Sequence, residues 1–452
     1  MSSEWPTTTL GALCDAQGGA IQTGPFGSQL HTSDYRDFGT PVVMPTNIGD
    51  GGISEDGIAR IGQADIDRLR QHVLQLGDIV FSRRGDVTKN ALIRKREAGW
   101  FCGTGCLKVH LGTETLANAM FISHCLRQPE VKDWLIRHAV GATMPNLNIG
   151  ILAAVPLRLP PLATQREVAK VLSALDDRIT LLRETNATLE AIAQTLFKSW
   201  FVDFDPVRAK QQGLAPVGMD EATAALFPDS FKESALGLVP QGWECIDLAA
   251  LTKRFGGSIQ TGPFGSQLHA SDYVESGVPV VMPKDIVNRR ATTDSVARIG
   301  VADADRLARH KLQAGDIVFS RRGDVERHAL ITEREVGWLC GTGCLLLRPG
   351  RLWESPGYLS MLLDAPRART WLVQHAVGAT MPNLNTSILG SVPVVLPSTS
   401  SLRAFEELMS VTEQQRSRNA SMSETLTTLR DILLPRLISG QLRLPDAAAL
   451  AV

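Results

Sequence analysis

The chain has 452 residues, 44% of them hydrophobic, which gives room for two or three domains with cores of their own and excludes a disordered tail. Its 46 Lys and Arg nearly balance 47 Asp and Glu, for a net charge of −1, so nucleic-acid binding would have to come from local basic clusters. No apolar run approaches the ~18 residues of a membrane span. No basic stretch leads into an apolar run at the start, and the seven cysteines, an odd number, fit reduced thiols, so the expected location is the cytoplasm.

Taken in chain order, the first segment of note is IQTGPFGSQLH at 21–31, which recurs letter for letter at 259–269, an offset of 238. Short apolar runs bounded by turn formers, Pro41–Pro45 and Gly77–Ser82, predict strands. The stretch GDIVFSRRGDV at 77–87 recurs at 315–325, and CGTGCL at 102–107 recurs at 340–345. Residues 116–140 read as helix, split by Pro129. HAVGATMPNLN at 138–148 recurs at 375–385, with one residue lost from the offset. Trp5 pairs with Trp243 and Leu10 with Leu248, so two copies of about 150 residues are present, which is domain size rather than solenoid size.

A long helix is predicted after Pro161. Val168, Leu172, Leu175, Ile179, Leu182, Asn186, Leu189, Ala193, Leu196 and Trp200 alternate steps of four and three, a heptad seam with one polar member, Asn186. The segment 205–240 mixes Pro, Gly and charge and reads as a connector. After the second copy comes a less regular helix, roughly 402–437, with a stripe of Leu408, Val411, Met422, Leu429 and Ile432 interrupted by Gln415 and Arg418. LPDAAALAV reads as a frayed tail.

Neither seam helix can bury its stripe alone, so the two are expected to pair. Antiparallel pairing would relate the copies by a two-fold axis and, if each reads DNA, would favour an inverted repeat. About 36 residues at ~1.5 Å each give a rod of roughly 54 Å, or on the order of 15 base pairs. Parallel pairing would predict a direct repeat.

Candidate DNA contacts cluster in the repeated motifs. Arg83 and Arg84, with Arg321 and Arg322, follow an apolar strand at a Gly turn, where Arg can bond guanine or clamp phosphate. The alternative is an ion pair with Asp86. Gln22, Thr23, Ser28 and Gln29, with Gln260, Thr261, Ser266 and Gln267, flank a Gly-Pro-Phe-Gly turn; they suit base edges or simple turn chemistry. Thr143, Asn146 and Asn148, with Thr380, Asn383 and Asn385, could read bases or satisfy their own backbone.

The copies differ where Thr88-Lys89-Asn90 becomes Glu326-Arg327-His328 and Thr46-Asn47 becomes Lys284-Asp285. Lys89 and Arg327 join the candidate contacts; if the differing residues reach bases, the two half-sites differ. Cys102 and Cys106, with Cys340 and Cys344, supply only two possible ligands per copy, and His110 becomes Arg348, so buried thiols are expected and no metal site. Trp200, Phe201 and Phe204 either anchor a partner or cap the rod. No phosphate loop, no H-E-x-x-H and no Asn/Asp-Pro-Pro-Tyr motif is present, so no catalytic residue is assigned.

In this order, and twice over, the motifs resemble those of specificity (S) subunits of type I restriction-modification systems, across nearly the whole chain. Gly24–Ser28 resembles the early motif of a target recognition domain, Gly77–Gly85 its central strand motif, and Ala142–Asn148 its closing motif. Leu157–Leu162 and Leu196–Phe201 resemble the borders of the central conserved region, and Leu433–Gly440 the end of the distal one.

The resemblance implies an α+β chain: two duplicated target recognition domains joined by two long antiparallel coiled-coil helices. The implied division is 1–158, central helix 159–204, connector 205–240, second recognition domain 241–395, distal helix 396–444 and tail 445–452. It further implies a non-catalytic subunit that binds double-stranded DNA and assembles with two methyltransferase (M) subunits, which use S-adenosylmethionine to methylate adenine N6. Motor-nuclease (R) subunits can join, and this chain carries no cofactor. Two departures stand out. The recognition domains are near copies, which favours a near-palindromic target, and the distal helix begins Pro397-Ser398-Thr399 without a Pro-Pro-Leu. A recognition subunit of a related phage-defence enzyme, or a protein-binding coiled-coil scaffold, are the competing readings.

Overall fold

The computed structural model describes residues 5–141, 143–292, 296–378 and 380–443, so the tail 445–452 and Ala142 of the closing motif lie outside the described residues. The fold is α+β. Two compact units divide the chain, residues 1–184 with 419–452, and residues 185–418, and each holds one globule with a segment of both long helices.

In the first unit a five-stranded sheet runs in the order Gly18–Thr23, Cys106–Gly112, Ile79–Ser82, Asn90–Leu92, Asp50–Gly51. A four-stranded sheet runs Tyr35–Arg36, Ala59–Ile61, Thr40–Val43, Phe101–Cys102. The second unit repeats the first four strands of the five-stranded order with Ser258–Thr261, Cys344–Arg348, Ile317–Ser320, His328–Leu330, and the whole four-stranded order with Tyr273–Val274, Ala297–Ile299, Val278–Val281, Leu339–Cys340. All four residues of Ile79–Ser82 are buried, which is why that strand reads as a continuous apolar run. The predicted split at Pro129 is observed. Ala119–Leu126 starts where Asn118 Oδ1 accepts the Phe121 N–H at 3.0 Å, and Pro129–His138 starts with its proline in the first turn, where no donor is lost.

The connector contains the helix Asp205–Gln211 and a hairpin of Phe231–Ser234 with Gly237–Pro240. Trp200, Phe201 and Phe204 are buried in the second unit's core, against Phe227, Trp243, Tyr358 and Phe405. They are packing residues and are not open as partner anchors.

The long helices are Leu162–Phe201 and Thr399–Ile438, 40 residues each. In the second unit they run antiparallel: Asn186 Nδ2 donates to Arg416 O at 3.0 Å, and eleven residues on Phe197 lies against Phe405. In the first unit Val168 and Leu172 pack in one core with Leu433, Leu434 and Leu437.

The predicted stripe on the distal helix needs correction. Leu408, Val411, Met422 and Ile432 are exposed, and only Leu429 packs against a core. The inward row is Leu402, Phe405, Met409, Thr412, Arg416, Asn419, Ser423, Leu426, Arg430, Leu433 and Leu437, an unbroken alternation of threes and fours. Its middle is polar, so hydrophobicity alone selects the wrong row.

Those polar residues have partners. Asp176 bonds Arg430 at 2.9 Å and Arg127, from the end of the helix Ala119–Leu126, at 2.7 Å. Burial alone would raise the Asp176 carboxyl, but the two guanidiniums outweigh it and hold it below its ordinary range. In the second unit Glu190 is likewise held between Arg289 and Arg416. Each globule is thus clasped to both helix segments of its own unit by a largely buried Arg–carboxylate–Arg triad.

Candidate nucleic-acid interface

The four repeated motifs, far apart in sequence, meet at one place in each globule. The strand Gly18–Thr23 pairs with Cys106–Gly112, with Thr23 opposite Leu107 and Gln22 opposite Lys108. It delivers Gly24, whose N–H donates to Cys106 O at 2.9 Å. A Cβ on Gly24 would sit 2.1 Å from Gly103 O, so only glycine allows the approach. From the neighbouring strand, the Arg83 N–H donates to Gly105 O at 2.9 Å. The closing motif then docks on the arginine turn: the Leu147 N–H donates to Arg83 O at 2.9 Å and the Gly85 N–H to Pro145 O at 3.2 Å. Gly85 has φ 78°, the left-handed conformation that this turn requires. The second copy repeats these bonds through Gly262, Arg321, Leu384 and Gly323, at 2.9, 2.8, 2.9 and 3.0 Å.

Within this cluster the arginines are unspent. Arg83 and Arg321 are half-buried, and the Nε of each is buried without a hydrogen-bond partner among the described residues. Arg84 and Arg322 are exposed. Asp86 instead accepts from the Thr88 N–H at 3.2 Å and its hydroxyl at 2.7 Å, so the predicted alternative of an arginine–Asp86 ion pair is not formed. Arg327 does form an ion pair, with Asp324 at 2.6 Å; Lys89 is half-buried.

The remaining candidates divide. Gln29 Oε1 accepts the Phe26 N–H at 3.1 Å and Gln267 Oε1 the Phe264 N–H at 3.2 Å, so both close the Gly-Pro-Phe-Gly turn. Asn148 and Asn385 cap short helices, accepting from Ile151 and Ile388 at 2.8 Å. Gln260 donates to Arg309 O at 2.8 Å. Gln22, Thr23 and Thr261 are partly exposed on their strands. Ser28, Ser266, Thr143 and Thr380 are exposed, while Asn146 and Asn383 hold their loops through backbone bonds to Val140 and Val377.

Two of the differing positions lie inside their globules. Asn90 and His328 are buried in their globules, and Asn47 and Asp285 are buried caps of short turns, accepting from Met44 and Met282. Cys102, Cys106, Cys340 and Cys344 are buried, and burial pushes the Cys102 thiol up to about 12. Nearby His72 and His310 are kept neutral by burial, reinforced by Lys108 and Arg309. Phe26 and Phe264, with no donor or acceptor to mark them as base readers, are 55% and 52% exposed at the tips of their turns. A large apolar residue between Pro and Gly, kept in both copies, was the available signal.

The family model for the type I restriction modification DNA specificity domain matches residues 3–191, and the second globule repeats the matched motifs. The type I restriction enzyme HindI specificity subunit of Haemophilus influenzae is 27% identical over 353 residues, covering 68% of this chain and 73% of that protein. The chain is thus similar to the specificity subunits of type I restriction-modification systems. The MjaIX specificity subunit of Methanocaldococcus jannaschii is 23% identical over 330 residues, covering 72% of this chain and 69% of that one. A crystal structure of a type I S subunit from M. genitalium shares the fold, with a TM-score of 0.56 at 16% identity over 96% of each chain.

A specificity subunit is not itself an enzyme: it recognises DNA sequence and assembles with methyltransferase and nuclease subunits, where catalysis lies. It takes no cofactor of its own. No helix among the described residues is long and apolar enough to cross a membrane.

Proposed function

We propose that this specificity subunit reads one bipartite, near-palindromic double-stranded DNA site and directs adenine-N6 methylation there. The observation that carries it is the pair of arginines, Arg83 and Arg321, each with a buried Nε that has no hydrogen-bond partner among the described residues and each held at the junction of all four repeated motifs. A half-buried arginine lacking a carboxylate is costly to the isolated fold and suited to an external acceptor, a guanine edge or a phosphate.

Phosphate contacts orient each domain, and a few base contacts select the site. The motif residues are the same in both copies, and of the differing positions named above only Thr46/Lys284, Thr88/Glu326 and Lys89/Arg327 are not buried, so the two half-sites are near copies that differ at most where those residues reach. The recognition domains are taken as 1–158 and 241–395. Two methyltransferase subunits using S-adenosylmethionine, with nuclease subunits joining for restriction, complete the complex, in the cytoplasm. The target adenine is flipped out into the partner.

The test is modified-base sequencing of the source genome with the gene intact, deleted, or carrying Arg83→Ala with Arg321→Ala. Methylation at one inverted-repeat motif should disappear in both altered strains. Each Arg→Ala should cost about 5- to 150-fold in target affinity if it reads a base. An unchanged methylome in a strain that expresses the gene and its partners defeats the proposal.

A further inference from the structure

We infer that Phe26 and Phe264 are apolar wedges that enter the base stack of bound DNA, one in each half-site; this rests on the DNA-recognition reading above. Each ring stands at the tip of a turn built to hold it outward. The Phe26 N–H is taken by Gln29 Oε1 at 3.1 Å, and Phe26 O accepts the Gln29 N–H at 2.8 Å and the Leu30 N–H at 3.2 Å. Leu30, 3% exposed, pins the turn to the globule, and Gly24 seats its other end against the Gly103 carbonyl. Phe264, Gln267 and Leu268 repeat this at 3.2, 2.8 and 3.2 Å.

A rigid, fully bonded turn that leaves a phenyl ring more than half exposed gains nothing for the fold from that ring, since exposed apolar area is simply lost burial. What fixes the occupant is the neighbourhood. Gly24 and Arg83 hydrogen-bond through their backbones to the same 103–106 turn, so the turn that carries the ring and an arginine with an unpaired buried Nε meet at one place in the domain. Positive charge holding a backbone while an apolar side chain enters a step is how wedge residues part stacked bases. The contrast with Phe38 is informative. It is 77% exposed, but the second copy has Ser276 in its place, so it belongs to one globule only.

Opening a step beside the target adenine would lower the cost of flipping it into the partner methyltransferase. The test uses the full chain co-purified with its methyltransferase, and duplexes carrying the mapped motif with 2-aminopurine placed in turn at each step. The wild type should raise fluorescence at one step per half-site in addition to the flipped adenine position itself. Phe26→Ala should abolish the step signal in one half-site and Phe264→Ala in the other. Each should lower affinity on the order of tenfold with the salt dependence unchanged, because no phosphate contact is removed. An abasic site at the responding step should reduce that loss.

Both rings are exposed, so melting temperatures should not move, which separates a wedge from a folding defect. A double variant that binds and fluoresces as the wild type does overturns the wedge while leaving DNA recognition intact. Full DNA binding with lost methylation also overturns it, by making these rings a protein contact. A wild-type complex with no affinity for the motif fails the functional reading itself.

Discussion

Asp176→Ala should loosen the first unit far more than a surface ion-pair deletion would. The carboxylate is 10% exposed and lies between Arg127, 7% exposed, and Arg430, 14% exposed. Removing it leaves the buried Arg127 without an anion and Arg430 with only the exposed Asp431, at 2.7 Å; breaking a buried pair by deleting one partner costs about 3–5 kcal/mol, against about 0–1 kcal/mol for an exposed pair. The readout is amide hydrogen exchange of the helix Ala119–Leu126, which ends at Arg127. At about 1.4 kcal/mol per tenfold, protection should fall by roughly two to three and a half powers of ten.

The triple variant Arg127→Met, Asp176→Leu, Arg430→Met should recover most of that protection, because replacing a whole buried ion cluster by apolar side chains of similar volume is often neutral or stabilising. A loss below about 1 kcal/mol in Asp176→Ala would mean water screens the triad, and the clasp argument would fail.

Asn148→Ala and Asn385→Ala should each cost about 1 kcal/mol in thermal or denaturant stability, as lost helix caps do, with target affinity within about threefold; a relaxed choice at one base pair would instead make them base readers. Glu406 has one carboxylate oxygen buried without a partner, and burial pushes its pKa up to about 7. The folded chain therefore keeps a proton that the unfolded chain releases, so its stability falls as pH rises from about 4.5 to about 7. Glu406→Gln should be more stable at pH 8, by up to about 3 kcal/mol, with the denaturation curves converging below pH 4.5. On the distal helix, Phe405→Ala should cost about 3–5 kcal/mol whereas Val411→Gln should change stability by less than about 0.5 kcal/mol, which checks the corrected seam by chemical denaturation.

Much of this protein follows from its sequence alone. Duplication was legible because identical strings recur at a constant offset, and the central helix because its seam residues are apolar and its period is unmistakable. The strand Ile79–Ser82 and the break at Pro129 were legible because burial on two faces and a missing N–H leave local marks. The distal seam was not. Its inward row carries Thr412, Arg416, Asn419, Ser423 and Arg430, and a polar residue can sit inward only if a partner from elsewhere meets it, as Asp176 meets Arg430 and Glu190 meets Arg416.

The same reason governs the site. Sequence could propose Arg83, Gln29 and Asn148 alike, because each has the donors and acceptors DNA recognition needs. Tertiary structure separates them by what they already bond: Gln29 its own turn, Asn148 its own helix, and Arg83 nothing through its Nε. Composition sets which hydrogen bonds a side chain could make. Only the packed fold decides which are already made, and so which groups are left for DNA.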